Sequence, residues 1–129
     1  MIGFLVRRKI RSTEKKLGES MDYMRHMYET APEAFWQFAK VAKASAHRTK
    51  LPAAPFHVAR LVAVRAQDCG PCVQTVVNLA KEDGVEVGIL KAALTGKVES
   101  LPESLGDVYR FAEAVATNSG EEEQYRERL

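Results

Sequence analysis

Apolar residues recur at helical spacing along nearly the whole of this chain, and no stretch alternates between turn signals as a strand would. Leu17, Met21, Met24 and Tyr28 step by four, three and four, which predicts a helix from about Thr13 to Glu29. Pro32 suits the first turn of a second helix, which carries Phe35, Trp36, Ala39 and Val41 to about Ser45. The polar stretch from Ala46 to Pro52 reads as a loop. Pro55 then opens a third helix, with Val58, Leu61, Val62 and Val64 apolar and an end near Gln67. A fourth begins at Cys69 and presents Val73, Val76, Val77 and Ala80 before Gly84 stops it. Val87, Leu90 and Leu94 mark a short fifth helix closed by Gly96. The sixth, from near Pro102, carries Leu105, Val108, Phe111, Ala112 and Val115 to about Asn118. Residues 121–129 place acidic side chains before arginines, the order a helix dipole prefers. They read either as a short terminal helix or as a helix cut short in a truncated chain. The expectation is a compact all-α domain of about six to seven helices over residues 1–129, with residues 1–12 a basic leading segment.

Composition narrows the class of protein. A chain of 129 residues can bury a real core, and 46% hydrophobic with 28% charged residues is an ordinary soluble balance. A net charge of +2 gives no argument for nucleic acid. The basic charge is local: Arg7, Arg8, Lys9, Arg11, Lys15 and Lys16 stand against Glu14 alone. Such a cluster reads first as a solvated helix face, and second as a contact for an acidic partner or a membrane surface. The apolar Met1–Val6 precedes the basic run instead of following it, which is the wrong order for a secretory signal. No later run approaches the roughly 20 apolar residues of a membrane span. A cytoplasmic protein in a reducing compartment is the expectation, and there a pair of cysteines can cycle between dithiol and disulfide.

The only two cysteines are three apart, in Cys69-Gly70-Pro71-Cys72, at the start of the fourth helix. A disulfide between them closes too small a loop to constrain the unfolded chain, so a structural staple explains them poorly. The pattern reads as a redox dithiol or half of a metal site. Unpaired N–H groups and the dipole at a helix start favour thiolate, the reactive form. Asp68 has two readings: an N-cap for that helix, or a negative charge that raises the neighbouring thiol's pKa. Gly-Pro between cysteines also occurs in thioredoxins, but there it follows a strand. Here the preceding Phe56–Ala66 has helical periodicity, so the thioredoxin fold is rejected.

Helix, C-x-x-C, helix and glycine in this order resemble the alkylhydroperoxidase D-like branch of the carboxymuconolactone decarboxylase family. The residues carrying the resemblance are His57–Cys72, Asn78–Val85, Ala92–Gly96 and Val108–Val115, and it covers about residues 30–120. It implies that fold, a homo-oligomer built on trimers, and no metal, flavin or haem. It also implies that Cys72 attacks a hydroperoxide, Cys69 resolves the product to a disulfide, and an external dithiol restores the pair. The family pattern adds a glutamate twelve residues before the first cysteine and a histidine four after the second, as proton relays. Those positions are His57 and Val76 here, so both depart. Valine cannot move a proton. His57 can, since imidazole titrates near neutral pH, though a lone histidine is commonly structural. The expected catalytic set is Cys72, Cys69 and His57, acting on a hydroperoxide or disulfide substrate.

Three other readings stand beside it. Cys69 and Cys72 with His26, His47 and His57 could ligate zinc, but the histidine spacing is not that of a zinc finger. A non-catalytic helical binding or oligomerisation domain would use the cysteines as small hydrophobes. The family's cysteine-free decarboxylase branch fits less well, because both cysteines are present. Met21, Met24 and Met27, with Phe35, Trp36 and Phe38, read as core or subunit-contact residues.

Overall fold

The structure, a computed structural model, describes residues 2–129, with side chains from residue 3 onward. Met1, part of the apolar stretch read above, lies outside the described residues. All regular structure among the described residues is helical. The chain divides into two compact units, Met1–Thr49 and Lys50–Leu129, where the sequence pattern suggested one domain.

In the first unit, α1 (Ile2–Leu17) buries Val6, Ile10 and Leu17 on one stripe. It ends at Gly18, which takes the left-handed φ of 68° and donates its N–H to the Glu14 carbonyl at 2.8 Å. The helix expected from Thr13 to Glu29 is therefore two helices, and the second, α2, spans Asp22–Thr30. The spacing of Leu17, Met21, Met24 and Tyr28 hid the break because its pattern runs straight across the turn. The segment expected as a basic lead-in belongs to α1 from Ile2 onward. Glu14 ties the two helices: its carboxylate accepts from the Met21 N–H at 2.7 Å and from Arg25 Nη1 at 2.6 Å. Those bonds, Arg25 foremost, hold its carboxyl below the usual range. Helix α3 (Pro32–Ser45) starts on its proline, as read from the sequence. It buries Phe35 with Val6 and Ile10, flanked by Met21, Met24, Met27 and Tyr28. The Tyr28 ring meets Phe35 edge-on at 5.2 Å. Trp36 and Phe38 stay 48% and 38% exposed, so of the three aromatic positions Phe35 alone is core.

The second unit contains α4 (Ala53–Ala66), α5 (Gly70–Glu82), α6 (Val87–Thr95), α7 (Glu103–Thr117) and the short α8 (Glu122–Arg126). A 3-10 turn at Val98–Ser100 leads into α7. Helix α4 is the centre of the packing, touching α5, α6 and α7. Its Val58, Leu61 and Val62 join Val76, Val77 and Ala80 of α5, Leu90, Ala92 and Ala93 of α6, and Leu105 and Tyr109 of α7. Ala80 and Ala93 are fully buried, and their small side chains let the helices approach closely. After α5, Gly84 takes a φ of 78°, and the Val85 N–H closes on the Ala80 carbonyl at 2.9 Å. Val85 is thereby tucked under the turn as part of the core.

Leu61 is 1% exposed at the centre of this packing. Leu61→Ala is expected to lower the unfolding free energy by about 2–5 kcal/mol. Urea denaturation should show a lower midpoint at an unchanged slope. A loss below about 1 kcal/mol would contradict the central place given to α4.

Candidate functional site

The site is built on the turn between α4 and α5. Helix α4 ends at Ala66, and the Asp68 N–H folds back onto the Arg65 carbonyl at 3.1 Å. Asp68 itself takes a left-handed φ of 49°, which aspartate tolerates better than most residues. That geometry moves the N-cap one residue on. Cys69, not Asp68, caps α5, and no side chain bonds the helix start. The expected aspartate cap is therefore corrected: Asp68 sits in the turn, a residue too early to reach the first helical N–H groups. Gly70 and Pro71 occupy the first two helical positions, where proline's missing N–H costs nothing.

Cys69 and Cys72 are joined by a disulfide across this first turn, their Cα atoms 5.2 Å apart. Cys72 is exposed and Cys69 is half-buried. Both cysteines lie at the start of α5, where the positive end of the helix dipole acts. With its sulfur held in the disulfide, Cys69 offers the helix no side-chain cap.

The two relay positions lie apart from this pair in different ways. Val76, one turn beyond Cys72, is 3% exposed and belongs to the core with Leu61 and Val62. The place expected for a relay histidine is thus packed against apolar neighbours. His57, 1% exposed, lies within 2.8 Å of Asp83 through Nε2. Asp83 follows the far end of α5, eleven residues after Cys72, or about 16 Å along the helix at 1.5 Å per residue. The hairpin folds the start of α4 onto the end of α5, so His57 and the cysteines occupy opposite ends of it. With Asp83 ionised, Nε2–H donates to the carboxylate, and Nδ1 is buried with no hydrogen-bond partner. The Phe56 ring stands edge-on to the imidazole at 5.1 Å, and Arg60 lies over the Phe56 ring. This is the setting of a packed structural histidine, and a direct proton relay from His57 to either cysteine does not fit it.

Two groupings escaped the sequence. Asp83 is 26 residues from His57, and no local pattern connects them. Arg65 turns away from the cysteines: Nη1 donates to the Ala93 and Leu94 carbonyls at 3.1 and 3.3 Å, closing the end of α6. Its Nη2 bonds the Tyr109 hydroxyl and reaches Glu113 Oε1 at 3.3 Å. Burial pushes the Tyr109 phenol up, and Arg65 opposes that shift. Among the described residues no group of three or more His, Cys, Asp or Glu side chains is placed to hold a metal ion.

Comparison with known proteins places this arrangement. A model of the carboxymuconolactone decarboxylase family matches residues 32–100, more than half of the chain. The chain belongs to that family. The match includes α4, the cysteine turn and α5, and agrees with the resemblance carried by His57–Cys72 and the segments after it. No curated protein and no solved structure matches the chain. Family membership accounts for the helical scaffold.

If His57 serves packing and not proton transfer, its loss should separate two readouts. His57→Gln is expected to destabilise the fold by about 1–3 kcal/mol through lost hydrogen bonding in the core. The rate at which the reduced cysteines react with an alkylating probe should stay within about twofold of the parent's at each pH from 6 to 9. A large change in that pH–rate profile would restore His57 to the site.

Proposed function

We propose that this member of the family is a dithiol–disulfide oxidoreductase whose reactive centre is Cys69 and Cys72. The observation that carries the reading is the bonded pair at the start of α5 with one sulfur-bearing residue open to solvent. The exposed Cys72 is the residue an incoming substrate reaches first. Cys69, half-buried at the helix start, is the partner that closes the disulfide.

Thiol–disulfide exchange is the step these residues support by themselves. The Cys72 thiolate attacks one sulfur of a substrate disulfide and expels the other as a thiolate. Cys69 then attacks Cys72, releasing the second substrate thiol and leaving the internal disulfide. An exposed Cys72, a short reach and a helix dipole suffice for this.

Hydroperoxide reduction is the second reading, favoured by family membership. The Cys72 thiolate attacks the peroxide oxygen, the O–O bond breaks, and an alkoxide leaves to take a proton as the alcohol. Cys69 displaces hydroxide from the Cys72 sulfenic acid, forming the disulfide and water. An external dithiol returns two electrons by exchange. With Val76 in the core and His57 beside Asp83, the leaving-group proton in this scheme comes from water or the substrate. This member is accordingly expected to be slower with peroxides than one that keeps a relay. The same reading carries a homo-oligomer, and the exposed Trp36 and Val41 on α3 supply apolar surface for it.

Free-thiol titration of metal-free reduced protein, before and after one equivalent of an organic hydroperoxide or a small disulfide, tests the proposal. Two thiols should disappear together, faster with the disulfide, and Cys69→Ser should hold a mixed disulfide or sulfenic acid on Cys72. If both thiols survive both oxidants, the cysteines are not reactive and a binding role replaces the redox one. Stoichiometric zinc retained by the purified reduced protein would instead favour a metal site.

A further inference from the structure

We infer that the outward face of α1 is a docking surface for an anionic lipid membrane. The helix is divided sharply. Val6, Ile10 and Leu17 face the core of their unit, and Glu14, the sole acid of α1, is consumed by Arg25 and the Met21 N–H. At 100° per residue, Arg8, Arg11, Ser12 and Lys15 lie on the opposite side, with Lys9 at its margin, and all are exposed. Phe4 and Leu5 flank the same side one turn earlier, at 71% and 60% exposure. Arg7, at the boundary, pairs with Glu29 at 3.1 Å and is left out of the count.

The exposed half of α1 therefore carries cations along its length and two large apolar side chains at one end, with no acid among them. Cations alone would suit any polyanion. Phe4 and Leu5 decide the occupant, because the phosphate backbone of a duplex gives large apolar side chains nothing to bury in, whereas a bilayer interface takes both. Basic side chains gain from the negative surface potential while the apolar pair enters the boundary between headgroup and acyl chain. The helix lies on the surface and does not cross it: no described helix is long and apolar enough to span a membrane. The surface is independent of the cysteine turn and would stand if the redox reading fell.

Vesicle co-sedimentation of the full chain tests it. Vesicles of phosphatidylcholine with about one-third phosphatidylglycerol should retain the protein, and phosphatidylcholine alone should not. Retention should fall as salt rises from about 0.05 M to about 0.5 M, where the Debye length shrinks several-fold. Arg8→Glu with Arg11→Glu should cut partitioning more than tenfold, since each cation contributes several-fold near an anionic surface. Phe4→Ser with Leu5→Ser should also cut it at unchanged charge, and neither pair should alter the helical circular dichroism, because all four side chains are exposed. Three results would overturn the proposal: no retention on anionic vesicles, retention insensitive to both pairs, or loss with the charge pair alone together with equal binding to duplex DNA. A vesicle-free change in oligomeric state with Phe4→Ser/Leu5→Ser would also overturn it, assigning the face to a second copy of the chain.

Discussion

Val58, Leu61 and Val62 on α4 are withdrawn almost wholly from water, and α5, α6 and α7 all pack against the helix that carries them. Each such side chain contributes about 1.5–3 kcal/mol when fully buried, so this one face outweighs any polar contact of the second unit. It also dictates geometry. Once α5 must lay Val76, Val77 and Ala80 against α4, the chain between the helices has only three residues in which to reverse. That brevity forces Asp68 into the left-handed region and puts Cys69 at the N-cap. The cysteine pair is therefore held at the end of the hairpin by hydrophobic packing one turn further along.

The same packing keeps the cysteines apart from His57 and puts an apolar side chain at position 76. A histidine in place of Val76 would have to enter the apolar core at a cost in desolvation, and His57 is occupied at the other end by Asp83. Near the cysteines the turn leaves Asp68 and the positive start of the α5 dipole. Such a centre is suited to reactions whose leaving group is already a good one, such as a thiolate. It is poorly equipped for expelling an alkoxide, which profits most from a positioned acid. On the redox reading proposed above, a centre of this kind handles disulfides better than peroxides.

Much of this was legible in the sequence, and the failures have definite causes. Pro32, Gly84, Gly96 and the apolar steps of α3, α5, α6 and α7 marked those helices closely, because local propensity and tertiary packing agree there. Gly18 was the missed signal in the first unit: an apolar period carried across the turn concealed the boundary between α1 and α2. The C-x-x-C spacing marked two cysteines close enough to bond, and the structure joins them. Asp68 misled, since a good N-cap residue was placed by a tight turn one step too early. The pairing of His57 with Asp83, and the turn of Arg65 toward Ala93 and Tyr109, depend on contacts 26 to 44 residues apart. No local period encodes such contacts, because they follow from how whole helices are laid together.

The central claim is that Cys69 and Cys72 form a reversible redox pair and not a fixed structural bond. Equilibrating the protein in dithiol–disulfide buffers of graded potential, then trapping thiols with a mass-shifting alkylating agent, measures this directly. The account predicts a single two-electron transition between the dithiol and the Cys69–Cys72 disulfide, at a midpoint above about −300 mV, where structural disulfides no longer lie. Thiolate stabilisation at the start of α5 is what raises it. A pair that stays oxidised well below that potential, or that never forms the disulfide under oxidising buffers, would contradict the account.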